Sequence, residues 1–278
     1  MFNFKPKLNA LWKAAILLLL LQAPATYGQA PRSASAERGS QIAKDGFRNE
    51  NDVREKLNKW QDDNDARVWL GSLGHDPTSV VAVRAFKPHG QKSDVVVEVT
   101  AADGSTYRHG ISIKLVSGAA GFNQVDKRWL RQYVRMWDMP AEMVRSLRLF
   151  LGEDLPVGKS RRSDRMFLTE LGKEEQLRVV EFFTRNKGRV AADLLRGEGD
   201  DKADFLMVIW RTGRESRSKI VPIESAIAFY SEGNVEVTRN GNLRIGRITM
   251  QRKGGDGGRE TAKQLQFKIN PVLLFSAD

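Results

Sequence analysis

Residues 94–116 read DVVVEVTAADGSTYRHGISIKLV: two alternating runs joined by Ala102, Asp103 and Gly104, which is a strong hairpin signal. Side chains along a strand alternate between its two faces. In the first run Asp94, Val96, Glu98 and Thr100 therefore share one face, and Val95, Val97 and Val99 share the other. In the second run Ser112 and Lys114 share a face opposed by Ile111, Ile113 and Leu115. A three-residue loop with Gly104 in the left-handed conformation is a common hairpin type, and it pairs Ala101 with Ser105. Counting back from that pair sets Asp94 opposite Ser112. A two-residue turn would place the two on opposite faces. With the longer loop, Asp94, Ser112 and Lys114 converge at the open end of a hairpin whose other face is core.

A carboxylate and a lysine brought together this way match the needs of metal-dependent phosphodiester hydrolysis. Hard oxygen ligands are what Mg²⁺ requires, and the ion polarises a phosphoryl group. A lysine orients the attacking water and offsets charge in the transition state. A solvated hairpin face carrying incidental charges has the same residues, so the pattern needs its surroundings to decide.

Outward from the hairpin, the chain alternates helical and strand-like segments. Apolar residues Ile42, Phe47, Val53, Leu57 and Trp60 predict a first helix over Gln41 to Trp60, carrying Glu50. Ser79 to Phe86 is β-branched and strand-like. Helices are expected at about Val125 to Trp137 and Ala141 to Leu151, the second preceded by Pro140, which suits a first-turn position. Gly152 to Asp164 reads as a loop, Glu174 to Thr184 and Val190 to Leu195 as helical, and Phe205 to Arg211 as a buried strand. The last seventy residues are expected to be strands and turns.

The 278 residues suffice for one large domain or two ordinary ones. With 41% hydrophobic and 28% charged residues, collagen-like and wholly disordered classes are excluded. Zero cysteines exclude disulfide frameworks, zinc fingers and thiol catalysis. The three histidines, His75, His89 and His109, are too few and too scattered in sequence for a metal cluster. The formal charge of +11 favours a polyanion or an anionic membrane as partner. At the N-terminus, Lys5, Lys7 and Lys13 precede an apolar run from Ala14 to Leu21 and small residues at Ala23, Ala25, Gly28 and Ala30, the order of a secretory signal. That run is shorter than the ~20 residues a span needs, so no stable membrane anchor is expected. Residues 1–33 are read either as a signal peptide or as a misassigned start. Pro31 to Gly39 reads as a linker, and 34–278 as one domain.

The surroundings of the hairpin are specific. Ser93-Asp94, then Ser112-Ile113-Lys114-Leu115-Val116-Ser117, then Gly121-Phe122-Asn123-Gln124-Val125-Asp126-Lys127 resemble the PD-(D/E)xK nucleases, and more narrowly the HinP-type restriction endonucleases that read GCGC. The likeness continues in Ala43 to Glu50, Arg165-Met166-Phe167, Leu195-Arg196-Gly197, Thr249 to Arg259 and Leu265-Gln266-Phe267-Lys268, in the same order from about Ser40 to Phe275. It implies an α+β (mixed α/β) fold with a PD-(D/E)xK restriction-endonuclease-like core, a mixed central sheet flanked by helices. The catalytic hairpin would span about 79–117 and a basic DNA-reading part about 239–268. The implied activity is Mg²⁺-dependent cleavage of double-stranded DNA at GCGC, after the first G, in the cytoplasm.

The resemblance also implies roles. Asp94, Lys114 and Ser112 would be catalytic, with Asp94, Ser112 and the backbone of Ile113 holding Mg²⁺. The family places a carboxylate or carboxamide where this chain has Ser112, a poorer and neutral ligand. Glu98, on the Asp94 face, or Glu50, on the first helix, are candidate replacements. A catalytically weakened or inactive DNA-binding protein is the alternative that Ser112 motivates, and an exported nuclease is the one the N-terminus motivates. A palindromic site can be cut by a two-fold homodimer or by one subunit acting in sequence, and both readings stand.

Between Arg239 and Lys268 eight Lys or Arg face only Asp256 and Glu260, a net +6, suited to neutralising phosphates. Gln251, Arg252, Lys253 and Arg259 are candidate DNA contacts. Arg252, Lys253 and Arg259 can address guanine and Asp256 can accept from cytosine N4. Phe122 reads either as an exposed wedge between base steps or as a buried cap of the following helix. Asn123, Gln124 and Lys127 at the start of that helix are candidates for base or phosphate contact. Gly152 to Ser160 ends in Gly158-Lys159-Ser160 but has five residues between its glycines, one more than a P-loop allows.

Overall fold

The alternation of the hairpin becomes strands β2 (Val95–Ala101) and β3 (Thr106–Ser117) in the computed structural model. Their turn is the three-residue loop: Gly104 has φ 87°, and the Asp103 carboxylate accepts a hydrogen bond from the Ser105 amide at 2.8 Å. Pairing runs in the expected register from Thr100 with Thr106 to Val95 with Ile111 and stops there, one residue before the expected Asp94–Ser112 pair, because the Asp94 amide turns to the Ile111 carbonyl instead. The structure describes residues 34–90, 92–118, 121–255 and 259–276, without the side chains of 34–40, 42, 43 and 201. The expected signal or misassigned start at 1–33 lies outside them. Residues 34–278 form one unit.

The described elements before the hairpin are α1 (Ala34–Asn58), α2 (Asn64–Ser72) and β1 (Val80–Phe86). After it come β4 (Asn123–Arg128), α3 (Leu130–Trp137), α4 (Ala141–Leu151), α5 (Lys173–Arg185) and α6 (Lys187–Leu195). The chain continues through β5 (Phe205–Thr212), β6 (Glu215–Pro222), α7 (Ile223–Ser231), β7 (Val235–Val237), β8 (Leu243–Ile245), β9 (Ile248–Arg252) and β10 (Leu265–Ile269). Two five-stranded sheets result, ordered β1-β2-β3-β5-β6 and β4-β10-β9-β8-β7. The first is mixed because β3 and β5 run parallel while its other pairs are antiparallel. The fold is the expected α+β class.

One face of the mixed sheet is dry. Val95, Val97, Val99, Ile111, Ile113, Met207 and Ile209 pack under Val53 and Leu57 of α1 and Trp69 and Leu70 of α2. The opposite face, which carries Asp94, Ser112 and Lys114, also carries Leu206 and Val208, and these join a second core of helices α3 to α7 and the second sheet. Tyr133, Trp137 and Phe267 form the aromatic centre of that core, with ring centroids 4.9 to 5.6 Å apart. Such rings bury large apolar area and add specific geometry. The hairpin is thus bolted to one core by its apolar face and borders the other with its polar one.

Three expectations need correction. α1 begins at Ala34, inside the expected linker, since Ala34, Ala36 and Glu37 are good helix formers. Residues 123–128 are strand, not the opening of a helix, because β10 needs an edge partner for its backbone groups and pairs with them from Leu265–Arg128 to Ile269–Asn123. Within the C-terminal strands and turns sits α7, whose Ile223, Ala226, Ile227 and Tyr230 are buried at helical spacing. No helix among the described residues is long and apolar enough to cross a membrane.

His75 and His109, distant in sequence, meet with their Nε2 atoms 2.7 Å apart, packed against Tyr107 and Phe205. Burial holds both below the ordinary value of 6.5; His75 lowers His109 further, and Asp204 opposes that. The folded pair therefore binds fewer protons than the unfolded chain between 6.5 and the lower folded values. Its stabilisation is present above pH 6.5 and is lost as pH falls through those values. Thermal melting should show Tm dropping from pH 7 to pH 5.5, with a shallower drop in a His75→Asn/His109→Asn double variant; equal slopes would refute this assignment.

Candidate active site and nucleic-acid interface

Asp94 is fixed before its side chain does anything. Its amide donates to the carbonyl of Ile111, the residue already paired with Val95, at 2.8 Å, which ties the residue before β2 to the end of the ladder. Its Oδ2 accepts from the Ile113 amide at 2.6 Å and from Ser112 Oγ at 3.3 Å, with Lys114 Nζ 3.6 Å away. Both ionic side chains are largely shielded, Lys114 at 15% exposure and Asp94 at 26%. The Coulomb attraction therefore acts with less screening than at an open surface. The register joins Asp94, Ser112 and Lys114 as expected.

Oδ1 of Asp94 receives no hydrogen bond among the described residues, so the carboxylate has an oxygen to give. In a strand the N–H and C=O of one residue point to the same side, so the Ile113 carbonyl lies on the edge where its amide meets Asp94. Asp94, the Ile113 carbonyl and the Ser112 hydroxyl are hard oxygen donors, the chemistry Mg²⁺ favours, and Mg²⁺ commonly keeps several waters. The donor set fits such an ion, although among the described residues no three His, Cys, Asp or Glu side chains are grouped to hold a metal.

The two carboxylates considered as replacements are both engaged in other ion pairs. Glu98 shares the Asp94 face but lies four residues along the strand, about 13 Å at roughly 3.3 Å per residue. It pairs with Arg84 at 3.4 Å. Glu50 forms an ion pair with Lys87 at 2.6 Å.

One residue near the site escapes sequence reasoning. Lys92 donates from Nζ to the Val125 carbonyl at 2.8 Å and lies 3.8 Å from Asp126. Burial pushes its ammonium down to about 8, opposed by Asp126 and Asp94 and assisted by Lys114. Its only sequence signal is adjacency to Ser93 and Asp94.

Among the candidate DNA contacts, Phe122 is 61% exposed, which favours the wedge over the buried cap. Asn123, Gln124 and Lys127 lie on β4 rather than on a helix. Gln124, Gln266 and Gln251 form an amide ladder across three strands, Gln251 donating to Gln266 at 3.2 Å and Gln266 to Gln124 at 2.6 Å. Arg252 is turned inward: its Nε donates to the Leu151 carbonyl at 2.8 Å and its guanidinium meets Asp164 at 3.3 Å. Lys253 and Arg259 flank the turn, Arg259 exposed. Asp256 lies outside the described residues.

The basic window is partly neutralised in space. Arg244 pairs with Glu236, Arg247 with Glu232, Arg252 with Asp164 and Lys263 with Glu260. Three of these four carboxylates lie outside the window, which is why counting charge along the sequence overstates the local field. The 152–164 loop is structural: Ser160 donates to Glu170 and to the Arg165 carbonyl, both at 2.8 Å.

Residues 73–275 match the R.HinP1I restriction endonuclease family, well over half of the chain. Restriction endonuclease MspI, in a crystal structure in complex with its cognate DNA, has a similar fold, with a TM-score of 0.54 at 16% identity. The match covers 77% of this chain and 80% of that one. No curated protein sequence matches the chain. Because Glu98 stands a dozen ångströms from the Asp94 carboxylate, Glu98→Gln should leave the initial rate of DNA cleavage within about twofold. Asp94→Asn should lower it by about 100-fold or more, since a ligand's electrostatic share is worth several kcal/mol. A large loss for Glu98→Gln in a gel-based cleavage assay would reinstate Glu98 as part of the site.

Proposed function

The chain belongs to the R.HinP1I restriction endonuclease family, whose members are type II site-specific deoxyribonucleases, and we propose that it hydrolyses both strands of duplex DNA at GCGC with Mg²⁺. The observation that carries this is the meeting of Asp94, Ser112, Ile113 and Lys114 at the open end of the hairpin. Asp94, the Ile113 carbonyl and Ser112 would hold the ion, which supplies Lewis-acid polarisation of the scissile phosphate when bound.

The chain's own groups do the rest. The Ile113 amide anchors one oxygen of Asp94, which leaves the other directed to the site. Lys114, held on β3 by its pairing with β5, places a positive charge where the attacking water and the phosphate meet and offsets the charge that builds as water adds to phosphorus. The water–phosphorus bond forms as the bond from phosphorus to the leaving 3′ oxygen breaks. Ser112 contributes one neutral oxygen where a carboxylate or amide is usual, so a weaker hold on the ion is expected than in relatives with that ligand.

Base reading belongs to β4 and to the β9–β10 connection. Gln124 and Gln251 end the amide ladder and present donor and acceptor atoms outward, which suits guanine and cytosine edges. Asn123, Lys127, Lys253, Arg259 and Asp256 complete the proposed contacts, with Phe122 as wedge, and Arg252 braces the strand end from within. In this reading the palindrome is cut in the cytoplasm, by a homodimer or by one subunit acting in sequence; export through the N-terminal segment belongs to the alternative of an exported nuclease.

The full chain incubated with a plasmid bearing GCGC sites should give discrete fragments ending within GCGC with Mg²⁺ and none with chelator. Lys114→Ala should reduce the rate by about 10²–10³-fold. Binding without cutting would support the DNA-binding alternative suggested by Ser112. Degradation without discrete fragments would support the exported nuclease.

A further inference from the structure

The pairing of β4 with β10 is not continuous. Phe267 pairs with Asp126 and Lys268 with Gln124, so Val125 is an extra residue without a partner on β10. A β-bulge leaves such a residue outside the ladder and re-aims the side chains beside it. The Val125 carbonyl is taken by Lys92, whose Nζ donates to it at 2.8 Å. The next residue, Asp126, is held in a closed network: Arg128 donates to it twice at 3.0 Å, Tyr133 donates from its hydroxyl, and Lys92 lies 3.8 Å away.

The other end of Lys92 is equally constrained. Gly197 has φ 75°, and a Cβ there would come within 2.9 Å of the Lys92 Cβ, so glycine makes room for the lysine stem. Ser93 donates to the Lys202 carbonyl at 2.8 Å, and Gly110 is bare because a Cβ there would strike Ser93 and that carbonyl. Asp94 follows with its backbone in the ladder. A short rigid run from Lys92 to Asp94 thus connects the bulge on β4 to the carboxylate of the mixed sheet. This explains the glycine of Leu195-Arg196-Gly197, a motif for which the chemistry has no use.

We propose that Lys92 is a positioning residue that couples DNA reading at the Val125 bulge of β4 to the placement of Asp94. Phe122, Asn123, Gln124 and Lys127 flank the bulge, so their seating on a correct site sets the Val125 carbonyl, and through Lys92 sets the start of β2. A wrong base pair that shifts the bulge pulls the same lever in the other direction. Lys92 also lies within electrostatic reach of Asp94 and Lys114, so a change in its hold is felt at both.

This coupling rests on the cleavage reading given above, and its test therefore has one arm that needs no cleavage. In steady-state assays of a GCGC duplex and of duplexes with one base pair exchanged, Lys92→Met should lower kcat on GCGC by roughly 10–100-fold, the effect usual for a supporting partner of a ligand. KM should change little, and the ratio of GCGC to near-cognate rates should fall as well. Lys92→Arg, which can still reach a carbonyl and a carboxylate, should recover most of that ratio. In hydrogen exchange without cleavage, duplex binding should protect amides 92–94 together with 123–126 in the wild type, but only 123–126 in Lys92→Met. Thermal melting checks folding, and Lys92→Arg with Asp126→Asn carries the comparison if Lys92→Met does not fold. Equal rate losses on every duplex, or equal protection of 92–94 in wild type and variant, would overturn the coupling. A wild type that cuts no DNA would sink the cleavage reading, and the exchange arm would then decide the coupling alone.

Discussion

The hydrogen bond from the Ile113 amide to the Asp94 carboxylate, 2.6 Å long, is the constraint on which the site depends. It exists because Asp94 is one residue short of β2 while β3 runs on past it, so an amide that would otherwise seek a strand partner finds a side chain instead. That bond in turn depends on the loop. Three residues between Ala101 and Ser105 set Val95 against Ile111 and so bring the Asp94 side chain beside Ser112 and Ile113; one residue fewer would send the carboxylate to the apolar face under α1 and α2. A turn some 20 Å away along the strands thus decides whether acid and lysine meet.

The two cores serve this arrangement differently. The apolar side of the mixed sheet is sealed by α1 and α2, which leaves the hairpin little freedom to slip, since a one-residue slip would bury Asp94 and expose Val95. The second core holds the aromatic cluster on which β10 and, through it, β4 are seated. Lys92 and the run to Asp94 connect the polar face of one sheet to the bulged edge of the other. A restriction enzyme must tie base reading to bond breaking, and the proposed coupling assigns that tie to Lys92, whose hydrogen bond to the Val125 carbonyl joins β4 to the run that ends in Asp94.

Much of this was legible in the sequence. The alternating hairpin and its glycine loop specify register, faces and the Asp94, Ser112, Lys114 grouping, because period-2 patterning and turn chemistry are local. The strand at 123–128 was not legible, since Asn-Gln-Val-Asp-Lys-Arg has no strand propensity to show and becomes β structure only by pairing with β10. Lys92 and the meeting of His75 with His109 were hidden for the same reason: long-range packing creates them. The basic window misled in the opposite sense, because three acidic partners from beyond it, Glu232, Glu236 and Asp164, take up part of its charge.

The central claim is that Asp94 and the Ile113 carbonyl together form the ion-binding edge beside Lys114. A crystal of the protein with a GCGC duplex and Ca²⁺, which supports binding in place of turnover, tests it most directly. Density for an ion is expected about 2.3–2.6 Å from Asp94 Oδ1 and from the Ile113 carbonyl, beside the phosphate within GCGC. An ion held by Glu98 or Glu50, or a duplex seated with its phosphates remote from Asp94, would contradict it.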